Sequence, residues 1–523
     1  MGAARSKGAT NELKKYATSV SKWNEWGIQR ELRLLRGLVL NRFLESLRTD
    51  IRLPAQSHAS KVKPVTNEKN IIHSIPHNGL VIDTPGNYVL GNNVTWFPRV
   101  HAAAGTHAAI LITCSDVSLN LEGHTIKCDK DTRPSAACLA IAVVPADDTL
   151  KPLQNIVLSN GSVENFYAYG IFVVGVQDVV LSGIGVRGLR NRDVTHTSIG
   201  LFIAACEKVR IHHCACKDSR VRSKAHSAVQ VRFCTDVQID NLEVANQHNS
   251  TGGNAGLAVV ASRLVDVTRA RIEDLTVGGA LAPGSSGNTC LGVFLYLSAV
   301  LSVDAVRVKN VHGSCDDSHG ISVFVCPQHV VISNCDVSNI TTGFRSKDKT
   351  GAKATGIEVM VSADVHVHNC DVDNVSASMP QDLQVAGFSS GFTWRVNFEG
   401  CNALRCSVVT ATGPGSSETY AGIGFGWAPD PRPMFVKPSV DTSFSHCTAR
   451  RCDIGFDMFM HQNARINACT ATKCKTVFKD DPDEIRTLSC NKCSECDPPA
   501  VYAVHNRSND NIGMKGIQFR EAI

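Results

Sequence analysis

From about residue 75 the chain consists of short apolar strings broken by Gly, Asn, Asp and Ser, and one phrase keeps returning. It begins at Gly170-Ile-Phe-Val-Val, Gly200-Leu-Phe-Ile-Ala, Ala228-Val-Gln-Val-Arg, Gly256-Leu-Ala-Val-Val and Gly292-Val-Phe-Leu-Tyr. It continues at Gly320-Ile-Ser-Val-Phe, Gly356-Ile-Glu-Val-Met, Gly391-Phe-Thr-Trp-Arg, Gly422-Ile-Gly-Phe-Gly and Gly455-Phe-Asp-Met-Phe. Successive copies start 28 to 36 residues apart, the length of one supersecondary unit. Side chains alternate between the two faces of a strand, so the first and third residues after the glycine point inward and the second and fourth outward. Several copies are followed by a second strand that ends in cysteine, as in Val209 to Cys214, Val330 to Cys335, Val365 to Cys370 and Ala464 to Cys469. No helical period separates the copies, which excludes βαβ units. The remaining solution is a coil of parallel strands stacked rung on rung over a continuous aliphatic core.

This pattern resembles the right-handed, single-stranded parallel β-helix of the pectin lyase-like superfamily, an all-β solenoid, over about residues 75–480. The resemblance implies a fold, and a fold of this kind hosts many functions.

The first 63 residues differ in character. They hold 13 Lys/Arg against 5 acids, in a chain whose net charge is only +5. Leu40, Phe43, Leu44, Leu47 and Ile51 recur on one face of a helix, Leu32, Leu35 and Val39 extend that face upstream, and Pro54 ends it. A basic amphipathic helix either caps the open end of a solenoid or lies on a partner or an anionic membrane, here through residues 1–52. Gly2 followed by Ser6 and Lys7 fits the N-myristoylation pattern, with the basic segment as a second anchor. Residues 64–74 read as a linker. No run of 18 or more apolar residues and no export-type N-terminus are visible. The expected location is cytoplasmic, with membrane association through the N-terminal segment.

The 523 residues include 21 cysteines. Without an export signal these are expected as reduced thiols. Cys214, Cys335, Cys370 and Cys469 fall at equivalent places, as do Cys206, Cys234 and Cys326, which predicts ladders of small buried residues. The exception is Cys490, Cys493 and Cys496 in the expected C-terminal cap, residues 481–523. Their spacing suits a zinc ion, with Cys474 or Cys452 as a fourth ligand, or else free or paired thiols. No cofactor is required by anything else in the chain.

Polygalacturonase-like members of the superfamily carry acids and a histidine just before the repeated glycine on neighbouring rungs, because glycosidic cleavage needs two carboxyl groups across the bond. Here only His319 matches. The equivalent residues on earlier rungs are Leu291, Ala255, Ser227, Ile199 and Tyr169. Asp316, Asp317 and His319 are therefore the candidate acid/base group, or a solvated turn.

The outward positions are unusually apolar, and Gln230, Arg232, Tyr296, Glu358, Arg395 and Asp457 are their candidate binding groups. Such a face marks a protein or glycan interface, an oligomer contact, or a surface covered by the variable loops at 246–255, 281–290, 345–355 and 411–421. Nucleic acid is not expected, since residues 64–523 are net acidic. Two functional classes follow. One is a non-catalytic scaffold presenting an extended face to a protein or glycan. The other is a carbohydrate-active enzyme of the lyase, hydrolase or epimerase type.

Overall fold

The computed structural model describes residues 60–61, 69–98, 107–129, 138–145, 151–192, 194, 196–278, 289–314, 317–343, 352–378, 383–409, 422–426, 439–458, 461–479, 487–489 and 492–494. Gly2, the basic helix expected between Leu32 and Ile51, Asp316, Cys490 and Cys496 lie outside the described residues.

Among the described residues all regular structure is strand, and every strand pairing is parallel. A 15-stranded front sheet begins at Ser60–Lys61 and ends at Thr476–Lys479. A coil adds one strand to this sheet and one to each of two further ladders, as in Ala225–Arg232, Thr235–Asp240 and Glu243–Asn249. The next coil repeats all three in register, pairing Val229 with Leu257, Val237 with Val265 and Val244 with Ile272. This is a parallel β-helix, the fold class that the repeat predicts. Its pairing reaches beyond residues 75–480 at both ends, from Ser60–Lys61 to Lys492–Ser494.

From the front strand Ala168–Val174 to Leu383–Gly391 the coil turns at a fixed corner because the residue after each strand adopts a left-handed backbone. Phe233, Ala261, Val325 and Val361 have φ of 54°, 51°, 54° and 50°. That conformation is unfavourable for residues with a Cβ, most of all for β-branched ones. It is held by hydrogen bonds to the following coil, Phe233 N–H to Val260 O at 3.0 Å and Val325 N–H to Met360 O at 3.0 Å.

The repeated glycine has a packing reason. A Cβ on Gly320 would stand 2.2 Å from Val337 Cγ1 and 2.6 Å from Gly356 O, inside the closed coil. Gly320→Val should therefore lower stability by more than the ~1–3 kcal/mol usual for overpacking. A urea unfolding midpoint unchanged from wild type would contradict this account.

The thiols stack as the spacing predicts. Cys335, Cys370, Cys401, Cys447 and Cys469 share one corner on successive coils. Each donates to the preceding coil, for example Cys401 Sγ to Val367 O at 3.5 Å and Cys447 Sγ to Phe398 O at 3.4 Å. Cys234 and Cys326 do the same at the corner after the front sheet. None of the cysteines from Cys114 to Cys290 and from Cys326 to Cys474 is bridged, and all of these but Cys114 are buried. Burial pushes the Cys128 and Cys326 thiols up to about 12, so they stay protonated and inert.

The core departs from the expected aliphatic filling in its last coils. Phe388, Phe425, Phe456 and Phe478 form a stacked column with centroids 4.7, 5.1 and 5.5 Å apart. Phe398 and Phe444 stack beside it at 5.1 Å. Two copies of the repeat stand out of the register that the sequence predicts. Gly356 is followed in its column by Gly387 and Gly424, since Ile357 pairs with Phe388 and Phe388 with Phe425. The copies assigned to Gly391 and Gly422 are thus four residues late and two residues early.

Candidate functional site

Four neighbouring front strands build the most chemically diverse part of the outer face: Thr289–Tyr296, Asp317–Phe324, Ala352–Met360 and Leu383–Gly391. Phe294 and Tyr296 are two residues apart and so share a face, and parallel register sets Phe324 beside Tyr296. The three half-buried rings stack in sequence, Phe294 to Tyr296 and Tyr296 to Phe324, both at 5.7 Å between centroids. Rings at this spacing in near-parallel planes form a continuous apolar strip.

Beside the strip lies a buried polar cluster. Glu358 pairs in register with Ser322, whose Oγ donates to Glu358 Oε2 at 3.1 Å. Lys353 Nζ forms an ion pair with Glu358 Oε1, and His319 Nδ1 stands 3.4 Å from Oε2. Lys353 and Glu358 are each 6% exposed and His319 5%. Burial alone would raise the Glu358 carboxyl, but the approach of the His319 ring and of the Lys353 ammonium outweighs it and holds the group down at about 2. Glu358 is accordingly a carboxylate at any physiological pH.

Ser389 stands next to Glu358 in register, and Thr355 next to His319. Both are fully buried, and neither hydroxyl has a hydrogen-bond partner among the described residues. His319 Nδ1 likewise makes no hydrogen bond there, despite its approach to Glu358.

The candidate residues separate into several places. His319, Glu358 and Tyr296 fall in or beside this region. Asp317 lies at its edge, in register with Lys353. Gln230 and Arg232 sit further along the same face, with Ala258, Phe294 and Ser322 between Gln230 and Glu358 in the ladder. Burial holds the Arg232 guanidinium below its ordinary value. Asp457 lies beyond the cluster on the other side, past Ser389 and Gly426.

Arg395 is not on the front face. It belongs to Trp394–Glu399 in the adjoining ladder, where its Nε and Nη2 meet Asp364 Oδ1 and Oδ2 at 2.5 and 2.9 Å. The register error at Gly391 placed it wrongly. Lys353, Thr355 and Ser389 escaped notice in the sequence. Lys353 had been assigned to a loop at 345–355, whereas the strand already starts at Ala352. The signal was available: Lys353 stands in the same relation to Gly356 as Asp317 does to Gly320.

Among the described residues no group of three or more His, Cys, Asp or Glu is arranged to hold a metal ion. Cys493 lies in the Lys492–Ser494 strand, opposite Ala471.

The strand order and register define a parallel β-helix architecture. No protein-family model and no curated protein matches the chain. Similar solved structures include the A-module of mannuronan C-5 epimerase AlgE4 from Azotobacter vinelandii, 10% identical over 84% of this chain and 88% of that one, with a TM-score of 0.29. The family 28 exopolygalacturonase of Yersinia enterocolitica is 10% identical over 79% and 74%, with a TM-score of 0.29. PfbA, a surface adhesin of Streptococcus pneumoniae, is 9% identical over 78% and 83%, with a TM-score of 0.31.

Proposed function

We propose that this protein is a non-catalytic glycan-binding β-helix whose binding face is the front sheet around Tyr296 and Phe324. The observation that carries the reading is the ring strip of Phe294, Tyr296 and Phe324, half-buried on an outer face and held in series by strand register. Aromatic faces stack against the C–H faces of sugar rings, and neighbouring polar groups fix orientation. The strip is rigid before any ligand arrives, since each ring is set by the backbone ladder. Little ordering entropy then opposes binding.

The enzymatic alternative finds less support. Glycosidic hydrolysis asks one carboxyl group to deliver a proton, and Glu358 is held ionised by Lys353 and His319. The Tyr296→Ala/Phe324→Ala double variant should lose at least about tenfold in affinity for a retained polysaccharide, or about 1.4 kcal/mol. Its unfolding midpoint should change less than that of a core variant, because both rings are only partly buried. Affinity electrophoresis against a polysaccharide panel reads this directly. Wild type passing unretarded through every gel, or cleaving a polysaccharide in a manner lost in His319→Ala, would overturn the reading.

A further inference from the structure

We infer that the glycan taken by this face is electrically neutral, recognised through its hydroxyl groups and not through a carboxylate or sulfate. The inference rests on the glycan-binding reading and deepens it. Along the outward positions of the front strands from Ala168–Val174 to Ile454–Asp457, the described cations are Arg232 and Lys353, to which His319 adds a charge only when protonated. The carboxylates are Asp317, Glu358 and Asp457. That face therefore carries no excess of formal positive charge to draw in an anionic chain.

Lys353, the lysine nearest the ring strip, is already neutralised by Glu358. Glu358 in turn accepts from Ser322 Oγ, so neither member of this pair is left over for an acidic sugar. Arg232 is the nearest other described cation in that column, separated from Tyr296 by Val260.

What the cluster does offer is a set of unpartnered polar atoms. The hydroxyls of Thr355 and Ser389 and the Nδ1 of His319 are buried without hydrogen-bond partners among the described residues. Buried polar groups in folded proteins are normally satisfied, so unsatisfied ones grouped beside an aromatic strip point to a ligand that completes them. Hydroxyls can donate and accept at once, and so can the hydroxyls of a neutral pyranose.

The test uses the full chain against two sets of immobilised polysaccharides, neutral ones (dextran, mannan, xylan, β-glucan) and polyuronates (polygalacturonate, alginate), at low and raised salt. At least one neutral polysaccharide is expected to be held at least about tenfold more tightly than either polyuronate, with little salt dependence. Ser389→Ala and Thr355→Val should each weaken that binding several-fold. Neither should lower the unfolding midpoint by the amount lost with a bonded hydroxyl, because each removes a hydroxyl that has no partner.

A polyuronate bound as well as or better than every neutral chain would overturn the inference. So would undiminished binding by both hydroxyl variants. If Tyr296→Ala/Phe324→Ala still abolishes the binding in either case, the proposed function stands while the inference falls. If no polysaccharide of either set is held, both fall together.

Discussion

Glu358→Gln is expected to destabilise the protein by about 3–5 kcal/mol at neutral pH, the range for breaking a buried ion pair on one side. The carboxylate is 6% exposed, as is Lys353. Removing its charge leaves the Lys353 ammonium buried without a counter-ion. It also weakens the hydrogen bond that Ser322 Oγ donates at 3.1 Å. The companion variant Lys353→Met should be comparably damaging, because it strands the carboxylate instead. Combining Lys353→Met with Glu358→Gln should recover much of the loss, since two uncharged groups of similar size then face one another. Urea denaturation of the four proteins in the cycle gives the coupling energy directly. Additive losses would show that the pair is not coupled as its geometry implies.

The same carboxylate has a definite pH signature. Its folded-state value, about 2, lies below the ordinary glutamate value of 4.5. Its contribution to stability is therefore fully present above the unfolded value and is lost as pH falls through the folded one, a window from roughly pH 4.5 down to about 2. Wild type should lose stability across that window faster than the double variant, which lacks the group. Parallel acid-unfolding curves for the two would count against the assignment.

Phe425→Ala is expected to cost about 3–5 kcal/mol, the usual loss for truncating a buried aromatic. Phe425 is fully buried and lies between Phe388 at 4.7 Å and Phe456 at 5.1 Å. It also meets Phe444 edge-on at 6.0 Å. Deleting one ring opens a cavity that the stacked neighbours cannot close, because their backbone positions are tied by parallel pairing on both sides. In a solenoid each coil contacts only its neighbours, so the damage should be local. Hydrogen exchange should speed up around residues 383–479 and much less before residue 250. Uniform loss of protection along the chain would refute the column as a local element.

The repeat was legible because its chemistry is redundant. Glycine, the inward aliphatic residues and the corner cysteines recur at fixed offsets, so a coil could be read wherever they agreed. The reading slipped where they did not. Around Gly391 and Gly422 several glycines and phenylalanines lie close together, and the string alone does not say which glycine faces the next coil. That slip put Arg395 on the wrong ladder and hid the phenylalanine column. For the candidate site, His319, Glu358 and Tyr296 were visible as outward residues. Lys353 was not, because the strand begins earlier than the string suggests, and Thr355 and Ser389 were not, because their neighbours His319 and Glu358 lie on the adjoining coils.

The sequence by itself determined the parallel coil, the inward and outward alternation and the thiol ladders, since these follow from a local period of two within a repeat of about thirty residues. Only the tertiary structure decided which outward groups meet. Lateral pairing joins residues some thirty positions apart, and a shift of two or four residues in one coil changes every neighbour it has. The approach of His319 to Glu358 and the placing of the unpartnered hydroxyls beside them exist only once that register is set.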